Sequence, residues 1–197
     1  MEHIFVDGNK ERVLITLHGT GGDAQDIARL GKAIDEDAAI LSVNGQVMEG
    51  GMRRFFKRHG EGQYDVEDLN LRGKELLDFL VESSKEYDFK LEDAVLVGFS
   101  NGSNIAINMM LRENSPVKNA LLFAPLYNVD VDENVTLENT NVFLSMGEMD
   151  PIVPKAASEH VISLFESRGA NVETYWVGSH EITMGAINAS QTFLSNL

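Results

Sequence analysis

Gly98-Phe99-Ser100-Asn101-Gly102 sets a serine between two glycines in the G-x-S-x-G spacing. A serine hydroxyl is a poor nucleophile near neutral pH. It needs a general base beside it and a third group to hold that base. His180, in Val177-Gly178-Ser179-His180-Glu181, is the candidate base. Asp150, in Met149-Asp150-Pro151-Ile152-Val153-Pro154, is the candidate carboxylate that would fix the imidazole tautomer and stabilise the imidazolium. Glu148 is a rival carboxylate, and Asp130 and Asp132 are more distant ones. His3, His18 and His59 precede the serine, and His160 falls in a stretch with helical spacing. Ser103 lacks the glycine frame and suits a packing surface. Together these groups could attack a carbonyl and transfer an acyl group.

Acyl transfer also needs donors for the oxyanion. Leu17-His18-Gly19-Thr20-Gly21-Gly22-Asp23 ends an apolar run in a glycine-rich turn, where little side-chain bulk hinders close approach of main-chain N–H groups. The expected donors are the main chains of Thr20 and Asn101. The Lys-Ser/Thr ending of a phosphate-binding loop is missing from this turn.

These residues need a scaffold, and the apolar patterning supplies one. Strands are expected at 3–6, 12–17, 38–43, 94–97, 120–123, 142–145 and 172–177, with Asp7-Gly8 turning the first two into a hairpin. Helices are expected at 23–33, capped by Asp23, and at 67–87, 101–112, 155–167 and 182–195. Alternating strands and helices read as an α/β fold, a mainly parallel sheet with helices on both faces in a single domain, 1–197. Functional groups of such sheets gather at the carboxyl ends of the strands. Ser100, Asp150 and His180 each follow a predicted strand, in the chain order of the α/β-hydrolase fold.

Composition narrows the partners. A net charge of -15 opposes binding to a phosphate backbone or to anionic lipid. With no cysteine there is no disulfide, thiolate nucleophile or thiolate metal site. No apolar run approaches the roughly 20 residues of a membrane-spanning helix, and the first residues lack the pattern of a signal peptide, so a cytoplasmic location is expected.

The segments 18–23, 98–102, 149–154 and 178–181, with Gly51-Met52-Arg53-Arg54-Phe55-Phe56, resemble the bacterial phospholipase/carboxylesterase family over nearly the whole chain. The resemblance is greatest to small hydrolases associated with hydroquinone or quinone stress. It implies the α/β-hydrolase fold and an esterase or thioesterase acting on a small-molecule ester, with no metal or organic cofactor. It leaves a homodimer open. Dienelactone hydrolases are relatives with a cysteine nucleophile, and Ser100 departs from that pattern.

Two further expectations concern the shape of the site. The stretch between the strands at 120–123 and 142–145 is too short for a cap domain, so an open or shallow site is expected. The connection 44–67 carries Arg53, Arg54, Lys57, Arg58 and His59 beside Phe55 and Phe56. It reads either as a flap whose Phe55, Phe56, Arg53 and Arg54 meet the substrate, or as a surface loop with its aromatics in the core edge. Ester hydrolysis through an acyl-enzyme is the leading function. A thioesterase of the same mechanism, a non-catalytic small-molecule receptor and a peptidase are the alternatives.

Overall fold

An apolar strand buried on both faces requires a neighbour on each side and a helix layer above and below. The sheet is built around such strands. In the computed structural model, which describes residues 1–112 and 115–197, the elements alternate as that requirement dictates. The first half runs β1 (His3–Val6), β2 (Asn9–Leu17), α1 (Ala24–Ile34) and β3 (Ala38–Val43). Two small hairpins follow, β4 (Val47–Glu49) with β5 (Met52–Arg54), and β6 (Arg58–Gly60) with β7 (Gln63–Tyr64). Then come α2 (Val66–Glu86), β8 (Val95–Phe99), α3 (Asn101–Met110), β9 (Asn119–Phe123), β10 (Asn141–Gly147), α4 (Lys155–Glu166), β11 (Asn171–Val177) and α5 (Met184–Ser195).

The main sheet has seven strands in the order β1-β3-β2-β8-β9-β10-β11, parallel throughout except for β1. Alternate residues feed two cores. Leu96, Ala120 and Leu122 join Leu69, Leu76 and Leu80 of α2, Ile105 of α3 and Val161 and Phe165 of α4 on one face. Val95, Val97, Leu121 and Phe123 join Ile34 of α1 and Phe193 and Leu194 of α5 on the other. Each fully buried leucine of α2 contributes roughly 2 kcal/mol of transfer free energy. Asp23 caps α1, its side chain accepting the Asp26 N–H at 2.9 Å. This is the α/β-hydrolase fold. Among the described residues, no helix or strand occurs between β9 and β10. Among the described residues no helix is long and apolar enough to cross a membrane.

The expected hairpin at Asp7-Gly8 does not form. β1 pairs antiparallel with β3 at the sheet edge, while β2 lies between β3 and β8. The burial pattern gives the reason: Val13 to Leu17 are buried on both faces and take two parallel neighbours, whereas β1 is only half-buried. Gly8 is instead pressed against the chain at 37–38, where a Cβ would lie 2.6 Å from the Asp37 carbonyl oxygen.

Candidate active site

β8 delivers Ser100 at its carboxyl end, and α3 begins at the next residue. The turn between them is tight. Ser100 takes φ 51° and ψ −115°, a left-handed conformation that costs a side-chain-bearing residue about 1–3 kcal/mol and persists only when the surroundings enforce it. Those surroundings are visible. The Ser100 N–H donates to the Phe123 carbonyl at 2.8 Å, and the Ser100 carbonyl accepts the Asn104 N–H at 3.0 Å. The flanking glycines allow close approach: a Cβ on Gly98 would lie 2.7 Å from Ser103 Cα, and one on Gly102 would enter the Leu17 carbonyl. Ser103 itself is buried and donates its hydroxyl to Phe123 O at 2.8 Å.

His180 lies beyond β11, with Nε2 3.0 Å from Ser100 Oγ. Its Nδ1 lies 2.6 Å from Asp150 Oδ2. A carboxylate only accepts, so Nδ1 carries the proton and Nε2 offers a lone pair to the serine hydroxyl. The Asp150 side chain is 1% exposed. Its other oxygen accepts the main-chain N–H groups of Ile152 and Val153 at 2.7 and 2.9 Å, which fixes the carboxylate towards the histidine. Glu148, the rival, is exposed and pairs with Lys155 at 2.7 Å.

The glycine-rich turn after β2 faces Ser100 and is braced by β5. Arg53 O accepts the Gly21 N–H at 2.9 Å, and Arg54 Nη1 donates to Thr20 Oγ1 at 2.6 Å. The Phe55 N–H donates to the side chain of Asn101 at 2.7 Å. Thus β5 and the residue after it hold both Thr20 and Asn101, whose main-chain N–H groups donate to no protein acceptor among the described residues. His18 completes the brace. It donates from Nδ1 to Gly19 O at 2.7 Å and accepts the Gly45 N–H at 3.0 Å on Nε2. Burial lowers its pKa, keeping the ring in the neutral form these two bonds require. With both nitrogens engaged, His18 is a latch rather than a base.

A cleft of about 270 Å³ opens over Ser100 and His180, walled by Thr20, Arg54, Arg58, Tyr64, Asn104 and Leu126 among others. A model of the phospholipase/carboxylesterase family matches residues 4–197. The chain belongs to that family. It is 39% identical over 184 residues to MhqD of Bacillus subtilis (strain 168), covering 93% of this chain and 92% of that protein. The crystal structure of the Bacillus cereus carboxylesterase superposes with a TM-score of 0.93 at 38% identity, over 100% of this chain and 95% of that one. The structure of YahD with malic acid gives 0.94 at 29% identity, over 99% and 98%. The chain is therefore an ester-cleaving hydrolase of the carboxylesterase type, and the receptor alternative falls away.

Within this carboxylesterase-family site, the residues expected to meet substrate part company. Phe55 and Phe56 are buried, the first against the His18 ring at 4.7 Å and the second against Tyr64 at 4.9 Å. Neither lines the cleft, nor does Arg53, which turns to Glu2 and the Gly45 carbonyl. Their position inside the brace corrects the flap reading: the hairpin must bury its aromatics to hold the glycine-rich turn. Arg54 does line the cleft, joined by Arg58, another cation of the 44–67 connection, and by Tyr64 and Asn104, which sequence reasoning left out. Asn104 donates to Tyr64 Oη at 2.9 Å, and that hydroxyl donates to Leu126 O at 2.9 Å. The missed signal was Gly50-Gly51 and Glu61-Gly62, two-residue turns with glycines at positive φ that fold 47–64 into hairpins.

Proposed function

We propose that the protein hydrolyses short carboxylic esters through an acyl-enzyme on Ser100. The observation that carries this reading is the unbroken hydrogen-bonded run from Ser100 through His180 to the buried Asp150, on the floor of an open cleft. Ser100 Oγ attacks the ester carbonyl while its proton passes to His180 Nε2. The imidazolium formed is held by Asp150. Negative charge on the former carbonyl oxygen falls to the main-chain N–H groups of Thr20, in the glycine-rich turn, and of Asn101, at the N-terminus of α3. His180 then gives its proton to the departing alkoxide, and the acyl group stays on Ser100. Water, deprotonated by the same histidine, repeats the attack and frees the acid and the serine.

The cleft volume sets the size of the substrate. At about 270 Å³ it lies below the ~300 Å³ at which pockets for drug-sized ligands begin. In a p-nitrophenyl ester series, kcat/KM should be greatest for acetate to butyrate. It should fall by about tenfold or more at octanoate, as a long chain leaves part of its apolar surface in water. Release of p-nitrophenol no faster than in buffer for every chain length would overturn the proposal.

A further inference from the structure

The wall of the cleft facing Ser100 holds two guanidinium groups in a protein of net charge -15. Arg54 is buried, with a side chain only 4% exposed, and Arg58 is 18% exposed. Placing charge there costs desolvation, which structural pairing only partly offsets. Glu49, behind the wall, serves both: it meets Arg58 Nε at 3.1 Å and Arg54 Nε at 3.3 Å. Arg54 also spends Nη1 on Thr20 and Nε on Phe56 O. Among the described residues, Nη2 of neither arginine makes a hydrogen bond, and neither atom is sealed from solvent. The remaining counter-charge is Glu61, at the tip of the β6–β7 hairpin. It is 65% exposed and reaches Arg58 Nη1 at 3.4 Å. One carboxylate thus offsets only one of the two positive charges from behind, and the second carboxylate sits loosely at the lip.

We propose that this wall is a carboxylate subsite, and that the preferred substrate is a short ester whose acyl arm ends in a carboxylate. The inference rests on the acyl-enzyme reading of the site. The leaving group lies on the His180 side of Ser100, because His180 protonates it. The arm directed towards Arg54, Arg58 and Tyr64 is then the acyl arm. Its carboxylate takes the open Nη2 donors and displaces Glu61 from Arg58. Planar guanidinium groups suit this contact because they present paired donors in fixed geometry and stay charged.

The test compares monomethyl succinate with methyl butyrate, two short methyl esters differing mainly in the terminal carboxylate, followed by acid release. Wild type should favour the succinate ester in kcat/KM by about tenfold or more, the range of a charge-assisted hydrogen bond. Arg58→Gln should reduce that ratio by about tenfold, and Glu61→Gln should raise it about threefold by removing the competing carboxylate. A wild-type ratio at or below one, with methyl butyrate still hydrolysed, overturns the subsite and leaves ester hydrolysis standing. So does a ratio unmoved by both substitutions. If neither methyl ester turns over, the p-nitrophenyl series decides the hydrolytic reading and calorimetric binding of succinate decides the subsite. Binding that weakens about tenfold in Arg58→Gln supports it, and no binding by wild type overturns it.

Discussion

Ser100→Ala should lower kcat/KM for short esters by about 10⁴- to 10⁶-fold without loss of the folded state. His180→Ala should cost about as much, and the double variant little more than either, because the two act on one proton transfer. Alanine keeps the backbone strain at φ 51° that Ser100 already carries, so thermal denaturation should show a midpoint close to wild type. That separation matters. A loss of activity accompanied by unfolding would say nothing about the nucleophile, whereas full activity in a folded Ser100→Ala would remove it from the mechanism. Asp150→Asn should be less severe in structure than in rate. The amide oxygen can still take the Ile152 and Val153 N–H groups, but an amide nitrogen facing Nδ1 selects the wrong imidazole tautomer.

The largest stability effect is expected at Gly102. A methyl group there would be driven into the Leu17 carbonyl, with His18 O only 2.7 Å away. All of these are backbone atoms of the central strand and the glycine-rich turn, so no flexible side chain can move aside. Gly102→Ala should destabilise by about 4 kcal/mol or more, read as a shifted midpoint in urea or as insoluble protein. Gly60→Ala, whose Cβ would meet only the Gln63 side chain at 3.7 Å, is the matched control and should change stability by less than about 1 kcal/mol. Equal stability of the two variants would contradict the close crossing of α3 over β2. The same crossing sets the start of α3, next to Ser100, against the end of β2 from which the Thr20 turn leaves, so this close contact and the site's geometry share one cause.

Much of the scaffold was legible because its signals are local. A parallel strand buried on both faces reads as an unbroken apolar run, and such runs lie within a residue or two of β8, β9 and β10, whereas the edge strand β11 shows only a partly apolar stretch. Ser100, Asp150 and His180 were legible for a related reason: each follows a strand directly, so sheet topology alone gathers them at one end. The structure separates Asp150 from Glu148: the Ile152 and Val153 N–H groups fold back on Asp150, while Glu148 turns out to Lys155. What sequence could not supply was pairing at a distance. The Asp7-Gly8 dipeptide looked like a hairpin, yet β1 joins β3, a partner chosen by burial of β2 rather than by the turn. The aromatic pair Phe55-Phe56 suggested a pocket wall, but three bonds from β5 and Phe55 to residues far along the chain draw it into the core. Arg58, Tyr64 and Asn104 line the cleft because two hairpins, α3 and the 124–128 loop converge there, and no spacing rule within one segment records that convergence.

The central claim is that Ser100, activated by His180, is the atom that attacks. It is tested most directly with a p-nitrophenyl phosphonate ester, whose tetrahedral phosphorus mimics the reaction and leaves an adduct that does not turn over. Wild type should take up one phosphonyl group per chain, release one equivalent of p-nitrophenol, and carry the label on the peptide containing Ser100 in mass spectrometry. His180→Ala should label far more slowly and Ser100→Ala not at all. Label found on another residue, or undiminished ester turnover in protein whose Ser100 is fully phosphonylated, would contradict the account.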